Sequence, residues 1–423
     1  MPPLSLPTAS VTPQKRPLRI AIIAHSLYPI AEPYAGGLEM ITHLLCDKLV
    51  AAGHEVLLYA HADSQTKATL VPLLSRQEFE AMVYPNEHES VAMGREEMYQ
   101  YLAYQHALRD IIERDGRGEI DVVHNHSLHH IPMMMGQVFG KRFFTTFHTP
   151  IFPQLRLALL TLQLGTDTQF TSISTYQQKL FAEFVPSKVV YNGIDVDSFD
   201  AQLEAIDDEV YLWYGRICPE KGTHLAMQYC LAAGKRLIIA GPKSNAQYFE
   251  QSVAPLLLQD KQQGSDLLDY VGHKTKAEIN RYLGQATAML FTSTWDEPYG
   301  LILAESLACG TPVIGFDVGA CAEIVTSETG IVVAKEDKAA FIKAFYSIKN
   351  ISRAACRARA KLFCADTTMV DGYLELYYQT LTPEQQSLST AQKPSAATPK
   401  HLPSMPPPQA TSSLDTLPQH AEG

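Results

Sequence analysis

Short apolar runs and longer stretches with helical spacing alternate along most of the chain. Residues 19–25 (RIAIIAH) are a β-rich run, followed by a loop with Pro29, Pro33, Gly36 and Gly37, then by helical spacing from Leu38 to Ala52 that stops at Gly53. The next apolar run is 55–60, so the chain opens as strand, helix, strand, and such runs read as parallel strands buried between helices. Further runs at 121–126, 143–148, 170–174 and 189–192 complete one doubly wound set. After the turn-rich residues 191–195 (YNGID) the alternation restarts, with runs at 210–216, 236–241, 268–272, 288–293, 312–317 and 330–333. The pattern predicts an α/β protein of two Rossmann-like doubly wound domains. Ligands of open parallel sheets sit beyond the C-terminal strand ends, so the site belongs in the cleft between the two. The expected divisions are a flexible N-terminus over 1–18, a first domain over 19–195, a second over 196–355, helices over 356–381 and a tail over 382–423. In that tail Pro, Ser, Thr and Gln replace the aliphatics, as in 403–409 (PSMPPPQ), which reads as disorder.

Composition narrows the class. The chain has 423 residues, 46% hydrophobic and 19% charged, enough apolar material for two packed cores and too much for a disordered protein. Lys+Arg 34 against Asp+Glu 45 leaves a net charge of −11, which argues against nucleic acid as a partner. Its 7 cysteines are scattered without a Cys-x-x-Cys pair, against a disulfide framework or zinc ribbon and for a reducing compartment. The first sixteen residues lack the apolar core of a secretory signal, and no run is long enough to span a bilayer. A soluble, cytoplasmic protein is expected.

Four groups of residues carry candidate chemistry. Glu297, Pro298, Tyr299, Gly300 and Leu301 connect a strand to a helix that carries Glu305, and Gly310-Thr311-Pro312 follows. The N–H groups of Tyr299, Gly300 and Leu301 would lie unpaired at that helix start, a ready anion site. Two carboxylates, one at the mouth and one further in, can take hydroxyls of two different sugar rings. Arg216 and Lys221, next to Gly215 and Gly222 after the first strand of the second domain, give a guanidinium fork and a point charge for a diphosphate. Alone they would read as solvated surface; their place at a strand's C-terminal end makes the difference. Gly36 and Gly37 let backbone approach a phosphate before a helix, without the spacing of a dinucleotide fingerprint or a P-loop. His124, His126, His129 and His130 can be drawn as a metal cluster, but no known metal-helix spacing accompanies them and no metal is expected. His148, ending a strand before Thr149-Pro150, is the histidine expected to meet substrate.

Together, in this order, Gly36-Gly37, the run 121–126 (DVVHNH), Gly215-Arg216 with Lys221-Gly222, and Glu297 with Glu305 resemble the retaining, GT-B-fold glycosyltransferases of family 4. Residues 192–195 (NGID) and Gly319 with 323–325 (EIV) are further family features, and the likeness runs from about residue 19 to 381. A looser likeness, through 34–39 (YAGGLE) and 147–150 (FHTP), is to the bacterial subgroup with avilamycin-pathway and tetrahydrobiopterin glucosyltransferases, and points to UDP-glucose. The departures are Ser306 for the usual Ala, Ala320 for the second glycine of a pair, and Tyr299 for the commoner Phe.

The resemblance implies transfer of a sugar from a nucleoside-diphosphate sugar to an acceptor hydroxyl with retention, by a front-face route in which the departing phosphate takes the acceptor's proton. It implies that Glu297 contacts donor-sugar hydroxyls, Glu305 holds the ribose, Arg216 and Lys221 bind the diphosphate, Gly36 and Gly37 approach the phosphate, and His148 lies near the sugar and acceptor. It implies no cofactor and no metal, since Arg, Lys and helix N-termini replace the cation. It also implies a C-terminal helix, with Tyr373, Tyr377 and Tyr378, that crosses back to the first domain. The acceptor class stays open among small molecules, lipids and glycans. The alternatives are a GT-B-fold epimerase or phosphorylase and a non-catalytic nucleotide-sugar-binding scaffold; the missing Gly-x-Gly-x-x-Gly disfavours an NAD-dependent dehydrogenase. Peripheral membrane contact is considered through 155–165 (LRLALLTLQLG), read as a packed helix, and through the basic run 353–361 (RAACRARAK), which would face lipid or solvent.

Overall fold

The computed structural model describes residues 15–82, 94–162, 165–204 and 209–382; the expected tail lies outside them, apart from its first residue, as does most of the expected flexible N-terminus. Two all-parallel sheets carry the chain. The first holds β1 (Arg19–Ile23), β2 (Glu55–Ala60), β3 (Thr69–Pro72), β4 (Val122–Asn125), β5 (Phe143–Phe147), β6 (Gln169–Ser172) and β7 (Lys188–Val189), in the order β3-β2-β1-β4-β5-β6-β7. The second holds β8 (Val210–Tyr214), β9 (Arg236–Ala240), β10 (Leu268–Gly272), β11 (Ala288–Phe291), β12 (Val313–Phe316) and β13 (Gly330–Val333), in the order β10-β9-β8-β11-β12-β13. In both, the order reverses beside the first strand, the switch point at which such sheets open a crevice.

Most strands end short of the predicted runs. His25, His126, His148 and Arg216 have left the ladder and stand on the loops beyond the C-terminal strand ends. Strand β3 was not read from the sequence: Thr69 and Pro72 are exposed and only Leu70 and Val71 half-buried, and the ladder at the sheet edge decides. Of the segment expected to be flexible, the last residues are pinned. Arg16 makes two bonds of 2.9 Å to Asp121, Arg19 joins them, and Leu18 donates its N–H to His54 Nδ1 at 3.0 Å. Burial pushes the Asp121 carboxyl up, but the two guanidiniums hold it well below the usual carboxylate range.

The helix Asp366–Gln379 packs on the helix Gly37–Ala51, and its Met369, Tyr373, Leu376 and Tyr377 share a core with Ile20, Ile22, Leu45 and Leu58 of the first sheet. The chain therefore crosses between the sheets twice. The two crossings are bonded to each other: Ile194 N–H donates to Cys364 O at 2.8 Å and Asp366 N–H to Ile194 O at 2.9 Å. Lys48 closes the junction from the first lobe, 2.7 Å from Asp366 Oδ2.

The basic run, left open between lipid and solvent from sequence, has a structural use. On the helix Arg353–Phe363, Arg353 is buried and bonds Gln202 O, Ala286 O, Gly284 O and Thr311 Oγ1. Arg357 bonds the carbonyls of Val196, Phe199 and Ala308, and Arg359 those of Glu323 and Ile324. These guanidiniums satisfy carbonyls left over at loop and helix ends, so the three arginines of the run are a structural clamp, while Lys361 stays exposed beside Asp197. The helix Pro153–Leu162 is packed through Leu155, Ala158, Leu159 and Leu162, with Leu157 67% exposed. Among the described residues no helix is long and apolar enough to cross a membrane. Replacing Arg353 by Ala leaves several buried carbonyls unpaired, and we expect a loss of about 2–4 kcal/mol in denaturant unfolding, against under about 0.5 kcal/mol for the exposed Arg109→Ala.

Candidate active site

Strands β8 and β11 are neighbours, so their C-terminal loops rise side by side. They are stitched together: Thr294 N–H donates to Glu220 O at 2.8 Å, and Thr292 Oγ1 to Gly222 O at 2.9 Å. On this platform Lys221 ends a short turn with its ammonium on Glu297 Oε1, and Ser293 Oγ reaches the same oxygen at 3.4 Å. Arg216 is 62% exposed, with Glu220 at 3.9 Å its nearest carboxylate. The loop after Glu297 turns through Gly300 at φ 88° into the helix Leu301–Ala308. Among the described residues the N–H groups of Tyr299, Gly300 and Leu301 make no hydrogen bond, so three donors stand at one helix start. The Tyr299 side chain turns away into the core beside Tyr191, and burial raises its phenol, so only its backbone faces the cleft. Pro298 is half-buried between them.

The loop after β12 supports Glu297 from behind. At Gly319, φ 54°, a Cβ would collide with the Glu297 carbonyl, so glycine is required there. Ala320 donates its N–H to the same carbonyl at 3.0 Å with an ordinary φ of −89°. The second glycine of the usual pair is therefore dispensable in this backbone.

Glu305 lies one helix turn inside. Burial raises its carboxyl, while Tyr214, the last residue of β8, donates to Oε2 at 2.7 Å and Lys276 adds a more distant attraction. Tyr214 was missed from sequence because a tyrosine ending an apolar strand reads as core; its place directly before Gly215-Arg216 was the available signal.

From the first lobe, Gly36 and Gly37 open the helix Gly37–Ala51. A Cβ on Gly37 would lie 2.7 Å from Leu301 Cδ1, so the N-termini of the two helices meet across the cleft. His148 follows β5, with Nε2 2.8 Å from His126 Nδ1, and burial lowers it to about 3, so it is neutral. The four histidines that can be drawn as a cluster separate: His124 and His126 lie inside the lobe, while His129 caps the helix His130–Met135 and stacks on His130 at 4.4 Å. Among the described residues no three His, Cys, Asp or Glu side chains are placed to hold a metal ion. The lobes are also joined by Glu323, whose carboxylate accepts from Thr175 N–H (2.8 Å), Tyr176 N–H (2.6 Å) and Tyr191 OH (2.7 Å).

Two facing Rossmann-like sheets, with helix N-termini and basic side chains gathered between them, define a GT-B glycosyltransferase. The family described as Glycosyltransferase Family 4 matches residues 35–198 and that described as Glycosyl transferases group 1 matches 196–362. The chain belongs to these family 4-type glycosyltransferases and is a hexosyltransferase. It is 25% identical over 376 residues to a glycogen synthase of Mycobacterium tuberculosis, covering 81% of this chain and 89% of that one. A D-inositol 3-phosphate glycosyltransferase of Frankia alni is 25% identical over 73% of this chain and 84% of its own. Among solved structures, AviGT4, a glycosyltransferase involved in avilamycin A biosynthesis, superposes with TM-score 0.59 at 22% identity, over 86% of this chain and 98% of that one. HepE from Anabaena in complex with UDP gives 0.64 at 16% identity, over 86% and 100%.

The raised Glu305 carboxyl has a consequence for stability. Its folded pKa lies above the usual 4.5, so the neutral form is the one favoured by folding, and stability is lost as pH rises through the raised value. Glu305→Gln keeps an acceptor for Tyr214 and removes the charge. We expect it to raise the melting temperature at pH 7 and to match wild type below pH 4.5. Equal melting curves at pH 7 would contradict this.

Proposed function

We propose that the chain transfers a hexosyl unit from a nucleoside-diphosphate sugar, with UDP-glucose the donor, to an acceptor hydroxyl with retention at the anomeric carbon. The observation that carries the reading is the meeting of the helix starts at Gly37 and Leu301, with Glu297 and its partner Lys221 beside them and Arg216 on the loop that carries Lys221. Solved relatives of the same fold hold UDP and UDP-glucose, which supports that donor.

The reaction needs stabilisation of the charge that grows on the leaving diphosphate. Arg216 and Lys221 supply it as fork and point charge, with the N–H groups at Gly36, Gly37, Gly300 and Leu301. Lys221 is paired with Glu297 in this structure, so a donor diphosphate competes for the ammonium and turns the Glu297 carboxylate to the sugar hydroxyls. Glu305, steadied by Tyr214, takes the ribose hydroxyls. The departing phosphate oxygen removes the acceptor's proton on the face from which it leaves, and neutral His148 stands on the acceptor side. In this reading the donor rests on residues 196–355 and the acceptor on 19–195. The acceptor is a small molecule, lipid or glycan, the last two reached with or without peripheral contact at a membrane. With charge supplied by side chains and helix starts, no metal or cofactor is needed. Seven buried, unpaired cysteines support a cytoplasmic setting.

The test is release of nucleoside diphosphate from a panel of UDP-, GDP- and ADP-sugars in EDTA, with candidate acceptors. We expect release from one donor, lowered at least about a hundredfold by Arg216→Ala or Lys221→Ala and lost in Glu297→Ala. Wild-type turnover in both cation variants would overturn the assignment. An epimerase would instead convert the donor without acceptor, a phosphorylase would require orthophosphate, and a scaffold would bind donor and release nothing.

A further inference from the structure

Inside the first lobe a line of hydrogen bonds runs from His148 to the C-terminal helix. His148 Nε2 is 2.8 Å from His126 Nδ1, His126 Nε2 is 3.1 Å from His124 Nδ1, and His124 Nε2 is 2.7 Å from Thr146 Oγ1. Tyr377 OH lies 2.5 Å from His124 Nδ1, and Thr146 Oγ1 continues to Thr171 Oγ1 at 2.6 Å. His124, His126 and Tyr377 are fully buried, and burial holds both imidazoles well below their usual pKa, so each ring is neutral with one N–H to place. A packed tyrosine alone would explain Tyr377, but not a hydroxyl aimed at a ring nitrogen that a second histidine also addresses.

One proton per ring and one proton per bond leave two directions for the line. If the protons point toward His148, His124 carries Nδ1–H, and the buried Tyr377 O–H is left without an acceptor among the described residues. If they point inward, Tyr377 at 2.5 Å and His126 at 3.1 Å share the one lone pair of His124 Nδ1, the hydroxyl holding the shorter bond, and His124 Nε2–H donates to Thr146, so no proton in the line faces another. Only the second direction avoids an orphaned buried hydroxyl. It requires His126 to accept at Nδ1, hence His148 to donate from Nε2. That leaves Nδ1 of His148 as a lone pair, with no partner among the described residues.

We propose that Tyr377, His124 and His126 are positioning residues that hold His148 in the Nε2–H tautomer, so that its Nδ1 accepts a hydrogen bond from a hydroxyl of the donor sugar or the acceptor. The assignment of that hydroxyl rests on the glycosyl-transfer reading; the tautomer does not. The helix that crosses from the second lobe thereby sets the proton position on a residue of the first.

Nitrogen-15 NMR of histidine-labelled, full-length protein reads the tautomers directly. We expect His148, His126 and His124 to show a protonated, pyrrole-type Nε2 and a bare, pyridine-type Nδ1. Tyr377→Phe keeps the packing and removes the determinant hydroxyl; it should mix the tautomers of His148 and lower kcat/KM about tenfold, for the donor if the hydroxyl is the donor sugar's and for the acceptor if it is the acceptor's. Thr146→Val removes the acceptor of the His124 Nε2–H and should shift His148 in the same direction. An Nδ1–H form of His148 in the wild type, or a tautomer indifferent to both variants, overturns the proposal. If the wild type releases no nucleoside diphosphate from any donor, the transfer reading fails while the nitrogen spectrum still decides the tautomer. If Tyr377→Phe does not fold, the wild-type spectrum and the threonine variant decide it.

Discussion

The chain must pass twice between its two sheets, and the two passages are tied to each other by the paired bonds of Ile194 with Cys364 and Asp366. The rest of the architecture depends on that tie. It fits because Gly193 has no side chain: a Cβ there would stand 2.5 Å from Asp366 Cα. Immediately after it, the helix Asp366–Gln379 enters the core of the first lobe; immediately before it, the arginines of the helix Arg353–Phe363 bind carbonyls around the same junction. The geometry of the cleft follows, since both walls are anchored to one short segment of paired backbone.

Three of the carboxylates that the second lobe brings to the cleft are each neutralised by different physics. Glu297 is matched by the ammonium of Lys221. Glu305 has a phenol and a desolvated setting that raises its pKa. Glu323 is met by two backbone N–H groups at the start of the helix Thr175–Phe181 and by Tyr191, an N-cap delivered from the other lobe. Of these three, only the first pairing is between formal charges, and only that one is open to competition from an anionic ligand.

Much of the fold could be read in the sequence because parallel strands covered on both faces are continuous apolar runs, as at 55–60 and 330–333, where predicted and observed bounds coincide. Strand β3 escaped because it is a short edge with Pro72, held by its neighbour and not by its own pattern. At the site, glycines and charged residues on strand-end loops were legible, since few structural reasons put them there together. Three things were not. Tyr214 looks like core until Glu305 is placed beside it; the direction of the Tyr299 ring depends on which side of the loop faces Cys364; and the arginines of 353–361 look like surface until unpaired carbonyls come into view. In each case the missing information was a partner distant in sequence.

The inclusion of Tyr373, Leu376 and Tyr377 in the core of the first sheet has a consequence for how the molecule is made. Translation delivers β1 to β7 first, but the hydrophobic face that receives the helix Asp366–Gln379 has nothing to cover it until that helix follows, from Asp366 on, well after β7 ends at Val189. The second sheet, whose core ends with Cys364 and Ala365, has all of its parts before that helix emerges from the ribosome. The lobe synthesised first is thus the last to close, and during synthesis its uncovered face over Leu45, Leu58 and Phe144 is the surface that chaperones and neighbouring nascent chains would meet.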